Sequence, residues 1–264
     1  MMKYQYGNDQ HRAISNDEII KLLSQLGGAT VKTVTDILAV NANNKTQALV
    51  SSNLISSQFL SGITAGRAPR IFFKSGTKLD IDRVLDGMNI GYVMWYLRQM
   101  NLLTTSVEID KQMSVSTYLA YKFDSVSKNL LRIRIIFWGQ EDTKGKVNQA
   151  LLKGYCPVIV VNSNEKEYCF NELMDIIKDN NILVITIKQR QNAKYLNSYL
   201  VSTKGIFAID EGDKQQFETV LSKLKSYDDT ELYDDIIAEY EKSKLLKKQH
   251  LPSLFPDNKR GDQQ

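Results

Sequence analysis

The sequence predicts a mixed chain of the α+β / α/β class, and three observations predict it. The first 60 residues carry apolar residues at helical spacing. Residues after 117 switch to β-rich runs alternating with helical ones. The last 50 residues return to charged helical segments.

The first helix opens at Ser15. Ser-Asn-Asp-Glu places Glu18 three residues after Ser15, the spacing of a capping box. Ile19, Ile20, Leu22, Leu23 and Leu26 then form one stripe, and Gly27-Gly28 ends it. Thr30 caps a second short helix, with Val31, Val34, Ile37 and Leu38 on one face. A third helix is expected over 45–57, with Ala48, Leu49, Leu54 and Ile55 inward. Two short strands are expected over 59–64 and 70–74, around Ala-Gly-Arg-Ala-Pro. Three helices followed by a two-stranded ribbon is the order of a winged helix-turn-helix. Residues 80–104 read as one or two strongly apolar helices.

The second half begins with a hairpin over 118–124 and 130–138. A helix over 143–153, a strand over 157–162, a helix over 165–179 and a strand over 182–188 follow. Strand, helix, strand, helix, strand predicts a parallel layer. A last hairpin is expected over 199–203 and 205–210, then helices over 214–224 and 231–248. The expected organisation is therefore a loose segment 1–13, a winged helix at 14–79, a helical connector at 80–116, an α/β domain at 117–226 and a C-terminal helix with a disordered tail at 227–264.

Charge suggests the function. The chain has a formal net charge of +4, too small by itself to imply nucleic acid. Its distribution says more. Residues 41–79 contain Lys45, Arg67, Arg70, Lys74 and Lys78 and no acid, whereas 210–241 is acid-rich. Folded surfaces usually mix both signs. A recognition helix needs small or amide side chains to reach base edges. Asn44, Gln47, Ser51 and Ser52 would supply them, with Lys45 near the helix start. A wing needs cations for phosphate, and Arg67, Arg70, Lys74 and Lys78 would supply those. The expected partner is double-stranded DNA. Helix-helix-helix-hairpin units also dock proteins, so the competing reading is an interaction module.

Other chemistries lack their residues. Cys156 and Cys169 are not in a Cys-x-x-Cys pair, and there are only two histidines, so no zinc site or other cofactor is expected. Two isolated thiols, no signal-like leader and no run of about 18 apolar residues lead to the expectation of a cytoplasmic protein without a membrane span. No P-loop, dinucleotide fingerprint or Gly-x-Ser-x-Gly elbow occurs. The order after 117 invites comparison with restriction-endonuclease-like cores, which need an Asp on one strand and Glu-x-Lys on the next to hold Mg²⁺. Asp124 could be the first acid. Arg132 and Arg134 stand where Glu and Lys are needed, and Arg cannot ligate a cation. A displaced pair at Glu141 and Asp142 is the alternative. The expectation is a degenerate core and no catalytic residue.

The N-terminal unit, the run "RIRIIFWGQED", the helix "KVNQALLKG" and the strand "PVIVVNS" together resemble the replication-relaxation family. They are also similar to related proteins of plasmids and conjugative elements of Gram-positive bacteria. That resemblance covers about residues 15–210. It implies a role at the DNA of a mobile element, in replication, in conjugative transfer within a relaxosome, or in their control, and a relaxase or replication protein as partner. The alternatives are a transcriptional regulator whose α/β domain dimerises or senses a ligand, and a metal-dependent nuclease with a rearranged site. Residues 88–102 are apolar enough to suggest a homodimer contact.

Overall fold

The computed structural model describes residues 14–62, 68–99, 103–104, 107–110, 113–122, 128–139, 142–177, 180–187, 197–209 and 214–224, together with Asp234 and Ala238. Seven helices and ten strands lie within them. None of the helices is long and apolar enough to cross a membrane.

The capping box forms as expected. The Ser15 amide donates to Glu18 Oε2 (2.8 Å) and the Glu18 amide to Ser15 Oγ (3.1 Å), opening α1 (Asn16–Gln25). Gly27 takes the left-handed conformation (φ 64°), and the Gly28 amide reaches back to the Leu23 carbonyl (3.0 Å), closing the helix. Thr30 caps α2 (Val31–Leu38) through the Thr33 amide (2.9 Å).

The third helix is shorter than the sequence reading. α3 runs Asn43–Ser51 and a strand, β1, already occupies Ile55–Phe59. Asn53 explains the difference. It adopts φ 59°, and the amides of Asn53 and Leu54 turn back to the carbonyls of Val50 and Leu49, both at 3.0 Å. Asn tolerates that conformation better than most residues, so it ends the helix where glycine often does. The expected strand over 59–64 is therefore displaced to 55–59. Leu49 and Ile55 are buried, whereas Ala48 and Leu54 face outward.

β1 pairs antiparallel with β2 (Arg70–Lys74), Ile55 opposite Lys74 and Phe59 opposite Arg70. The segment between α1 and α2 joins this ribbon. Ala29 and Phe72 exchange both backbone hydrogen bonds, each 2.8 Å. β2 is covered on both faces. Phe72 enters the main core with the three helices, and Ile71 packs with Val84 and Met88 of α4 (Ile81–Gln99).

The segment expected as a helical connector holds α4 and then β3 (Leu103–Thr104) and β4 (Glu108–Ile109). α4 is a shared layer. Gly87 lets it approach Leu26 of α1, and Gly91 lets it approach Thr33 of α2. Its other side lies on the sheet, where Tyr96 Oη and Ser198 Oγ share a buried hydrogen bond of 2.7 Å. Met88, Ile90, Val93, Met94, Tyr96 and Leu97 are all buried inside the chain. The apolar stripe expected to make a homodimer contact is thus used intramolecularly over these residues, and Leu102 lies outside the described residues.

β5 (Val115–Lys122), β6 (Lys128–Phe137), β7 (Cys156–Asn162), β8 (Ile182–Ile187), β9 (Asn197–Ser202) and β10 (Gly205–Ile209) complete an eight-stranded sheet. Its order is β10-β9-β8-β7-β6-β5-β3, with β4 also on β5. β6, β7 and β8 are parallel, as the alternating pattern predicted, linked by α5 (Thr143–Leu152) and α6 (Lys166–Met174). Both faces of β7 and β8 are buried, which explains their nearly unbroken apolar runs, whereas β6 carries the half-buried Arg132 and Arg134. Val158 and Val160 face the α4 side, Ile159 and Val161 the α5–α6 side. α7 (Lys214–Ser222) adds Val220 and Leu221 to the main core. Asp234 and Ala238, within the predicted last helix, are helical and exposed.

Candidate nucleic-acid interface

α3 and the β1–β2 ribbon form one surface. From Ile37 to Leu79 the sequence contains no acid, so every formal charge on this stretch is positive. Asn44, Gln47, Ser51 and Ser52 are exposed on or beside α3, and Lys74 and Lys78 are exposed at the far end of the ribbon. Arg67 lies outside the described residues.

Arg70 ties the helix to the ribbon. Its Nε donates to Ser57 Oγ (2.9 Å) and its Nη1 to Gln47 Oε1 (3.1 Å). The guanidinium carbon lies 5.1 Å from the centre of the Phe72 ring, a cation–π distance. All three partners are neutral. They orient the cation without cancelling its charge, and the remaining donors stay available for an anion.

The other residues behave differently. Lys45 Nζ donates to the Ile14 carbonyl, so this lysine ties the start of α1 to α3. Ser51 Oγ donates to the Gln47 carbonyl, and Ser52 Oγ to those of Ala48 and Leu49, each at 3.1 Å. Serines in a last helical turn often bond backward in this way. Their protons are committed but their lone pairs are not, which suits them to accept from a base amino group rather than donate.

Two neighbours were not singled out from the sequence. Ser57 positions Arg70, and Phe59, its cross-strand partner, is 68% exposed. Period-two counting from Ile55 places Ser57 and Phe59 on one strand face, but the sequence reading ends the helix at Ser57 and starts the strand only at Phe59.

The residues weighed for metal chemistry are occupied elsewhere or lie outside the description. Asp124 and Glu141 are outside the described residues. Asp142 caps α5, accepting from the Gly145 amide at 3.2 Å. Arg134 forms an ion pair with Asp110 and a hydrogen bond to Ser116. Arg132 donates to Tyr155 Oη (2.8 Å) and stacks on that ring at 4.1 Å. Cys156 and Cys169 are buried, and burial pushes both thiols up to about 12, far from the thiolate that nucleophilic chemistry requires.

No protein-family model, curated protein or solved structure matches this chain.

Proposed function

We propose that this chain is a non-catalytic DNA-binding accessory protein. It grips duplex DNA with α3 and the β1–β2 ribbon acting as recognition helix and wing. One observation carries the reading: an acid-free surface on which Arg70 is oriented by three neutral partners. The Ala29–Phe72 pairing supports it, because it anchors the ribbon against the helices and lets helix and cation act as a unit. α3 contacts base edges through Asn44, Gln47, Ser51 and Ser52, while Arg67, Arg70, Lys74 and Lys78 contact phosphates. The partners proposed around it are a relaxase or replication protein of a mobile genetic element, as the sequence resemblance implies. No metal-dependent cutting is proposed, since Arg132 and Arg134 occupy the strand positions such chemistry would need for an acid and a lysine.

A transcriptional regulator is the second reading. The large sheet layer behind the DNA-facing unit favours it, because it offers a body for dimerisation or sensing.

The test is a gel-shift titration across a salt series. Replacing Arg67, Arg70 and Lys74 together by Ala should weaken duplex binding on the order of 100-fold and flatten the salt dependence. Unchanged binding sinks the wing assignment. Sequencing the DNA captured by the wild-type protein separates the roles: an origin or transfer origin supports the accessory protein, a promoter supports the regulator.

A further inference from the structure

The two edges of the large sheet are built differently. β3 at one edge is two residues long, a length that offers little to a pairing strand. β10 at the other edge is five residues long and, among the described residues, pairs only with β9. Its sequence is Gly-Ile-Phe-Ala-Ile, with no charge and no proline. Ile206 is 42% exposed and Phe207 49%. Soluble proteins protect such edges with lysines, prolines, bulges or very short strands, and β10 has none of these between Gly205 and Ile209.

The segment is also complementary to itself. In an antiparallel pairing centred on Phe207, Phe207 meets its own copy, Ile206 meets Ala208, and Gly205 meets Ile209. Each bulky aliphatic residue faces a small one, and the two phenylalanines form a cross-strand aromatic pair. In sequence the strand is bracketed by Lys204 and Asp210. A two-fold axis generates such a match from one segment, because the same patch serves both copies.

We propose that β10 is a self-association edge, through which two copies pair antiparallel about a two-fold axis at Phe207 and join their sheets. The pairing closes the open edge, buries Ile206 and Phe207, and supplies the homodimer surface that α4 does not. It stands independently of the nucleic-acid reading.

Full-length protein carrying Phe207→Cys tests the register. Paired residues across an antiparallel ladder have Cα atoms about 4.5–5.5 Å apart, within disulfide range. Mild oxidation should therefore give a disulfide-linked dimer on a non-reducing gel. The native thiols are buried and do not compete. Ile206→Cys should remain uncross-linked, since residue 206 faces 208 and not itself. Mixing Ile206→Cys with Ala208→Cys should restore the cross-link. In sedimentation, the wild type should run as a dimer and Phe207→Lys as a monomer with an unchanged circular-dichroism spectrum. A monomeric wild type, or equal cross-linking of Phe207→Cys and Ile206→Cys, overturns the proposal. The cysteine pair decides it even where Phe207→Lys fails to fold.

Discussion

Arg70 on the ribbon and Arg134 on the sheet are the same residue type in opposite settings. Arg134 meets a carboxylate, Asp110, and its charge is cancelled within the fold. Arg70 meets a hydroxyl, an amide and an aromatic ring, and its charge is kept. An arginine with an internal counter-ion is part of the architecture, whereas one held only by neutral groups still seeks an anion. Both strands look basic in sequence. Their partners cancel the charge of one and leave that of the other uncompensated.

The comparison can be broken first where the two regions meet. Gly28 sits at φ 131°, and a Cβ there would lie 2.7 Å from Leu79, 3.1 Å from Val84 and 3.2 Å from Ile71. Gly28→Val should destabilise the protein by about 3 kcal/mol or more, through backbone strain and overpacking together. Thermal unfolding measures it, and a melting temperature within error of wild type would mean the ribbon–α4 junction is looser than described.

The next effect is at Asp110. It pairs with Arg134 and also accepts from the Ser114 amide (3.0 Å), holding the β4–β5 turn in which Met113 adopts φ 62°. Asp110→Ala should cost about 1–2 kcal/mol in urea unfolding, and leave DNA affinity near wild type. Arg70→Ala should do the reverse. Its two hydrogen-bond partners, Ser57 and Gln47, remain accessible to water, so the stability change should stay below about 0.5 kcal/mol, while duplex affinity falls about tenfold or more. Equal stability losses for the two variants would remove the distinction between them.

The smallest effect is a pH dependence at the α2–α4 contact. Burial raises the Asp36 carboxyl above its ordinary value, against the opposing pull of Lys32, whose ammonium also lies 5.6 Å from the Tyr92 ring centre and 5.7 Å from that of Trp95. The folded state therefore holds the Asp36 proton more tightly than the unfolded state. Its contribution is fully present below the ordinary carboxylate range and is lost as pH rises through the raised folded value. Asp36→Asn should flatten that part of the stability–pH profile, and an unaltered profile would assign the slope to other carboxylates.

Local signals were legible in the sequence where a few neighbouring residues decide them. The Ser15–Glu18 box, the Gly27–Gly28 stop, the Thr30 cap and the order of the parallel β6-α5-β7-α6-β8 run appear as read, although α6 ends at Met174 and not at 179. The end of α3 was not legible, because Asn53 suits a helix surface nearly as well as the left-handed cap it makes. The acid-free run and its cations were legible by counting. That Lys45 turns back onto Ile14, and that Ser51 and Ser52 spend their protons on the helix, were not.

The sequence by itself determined the alternation of elements, the burial of both sheet faces and the sign of charge on α3 and the ribbon, since each depends on composition and spacing along one stretch of chain. Tertiary structure decided what each charge and each apolar stripe is for. Arg70 and Gln47 are 23 residues apart, Arg134 and Asp110 are 24, and Tyr96 and Ser198 are 102. Whether a cation finds an acid or only neutral donors, and whether an apolar helix faces a neighbour or the solvent, depends on contacts across those separations, which periodicity along the chain does not encode.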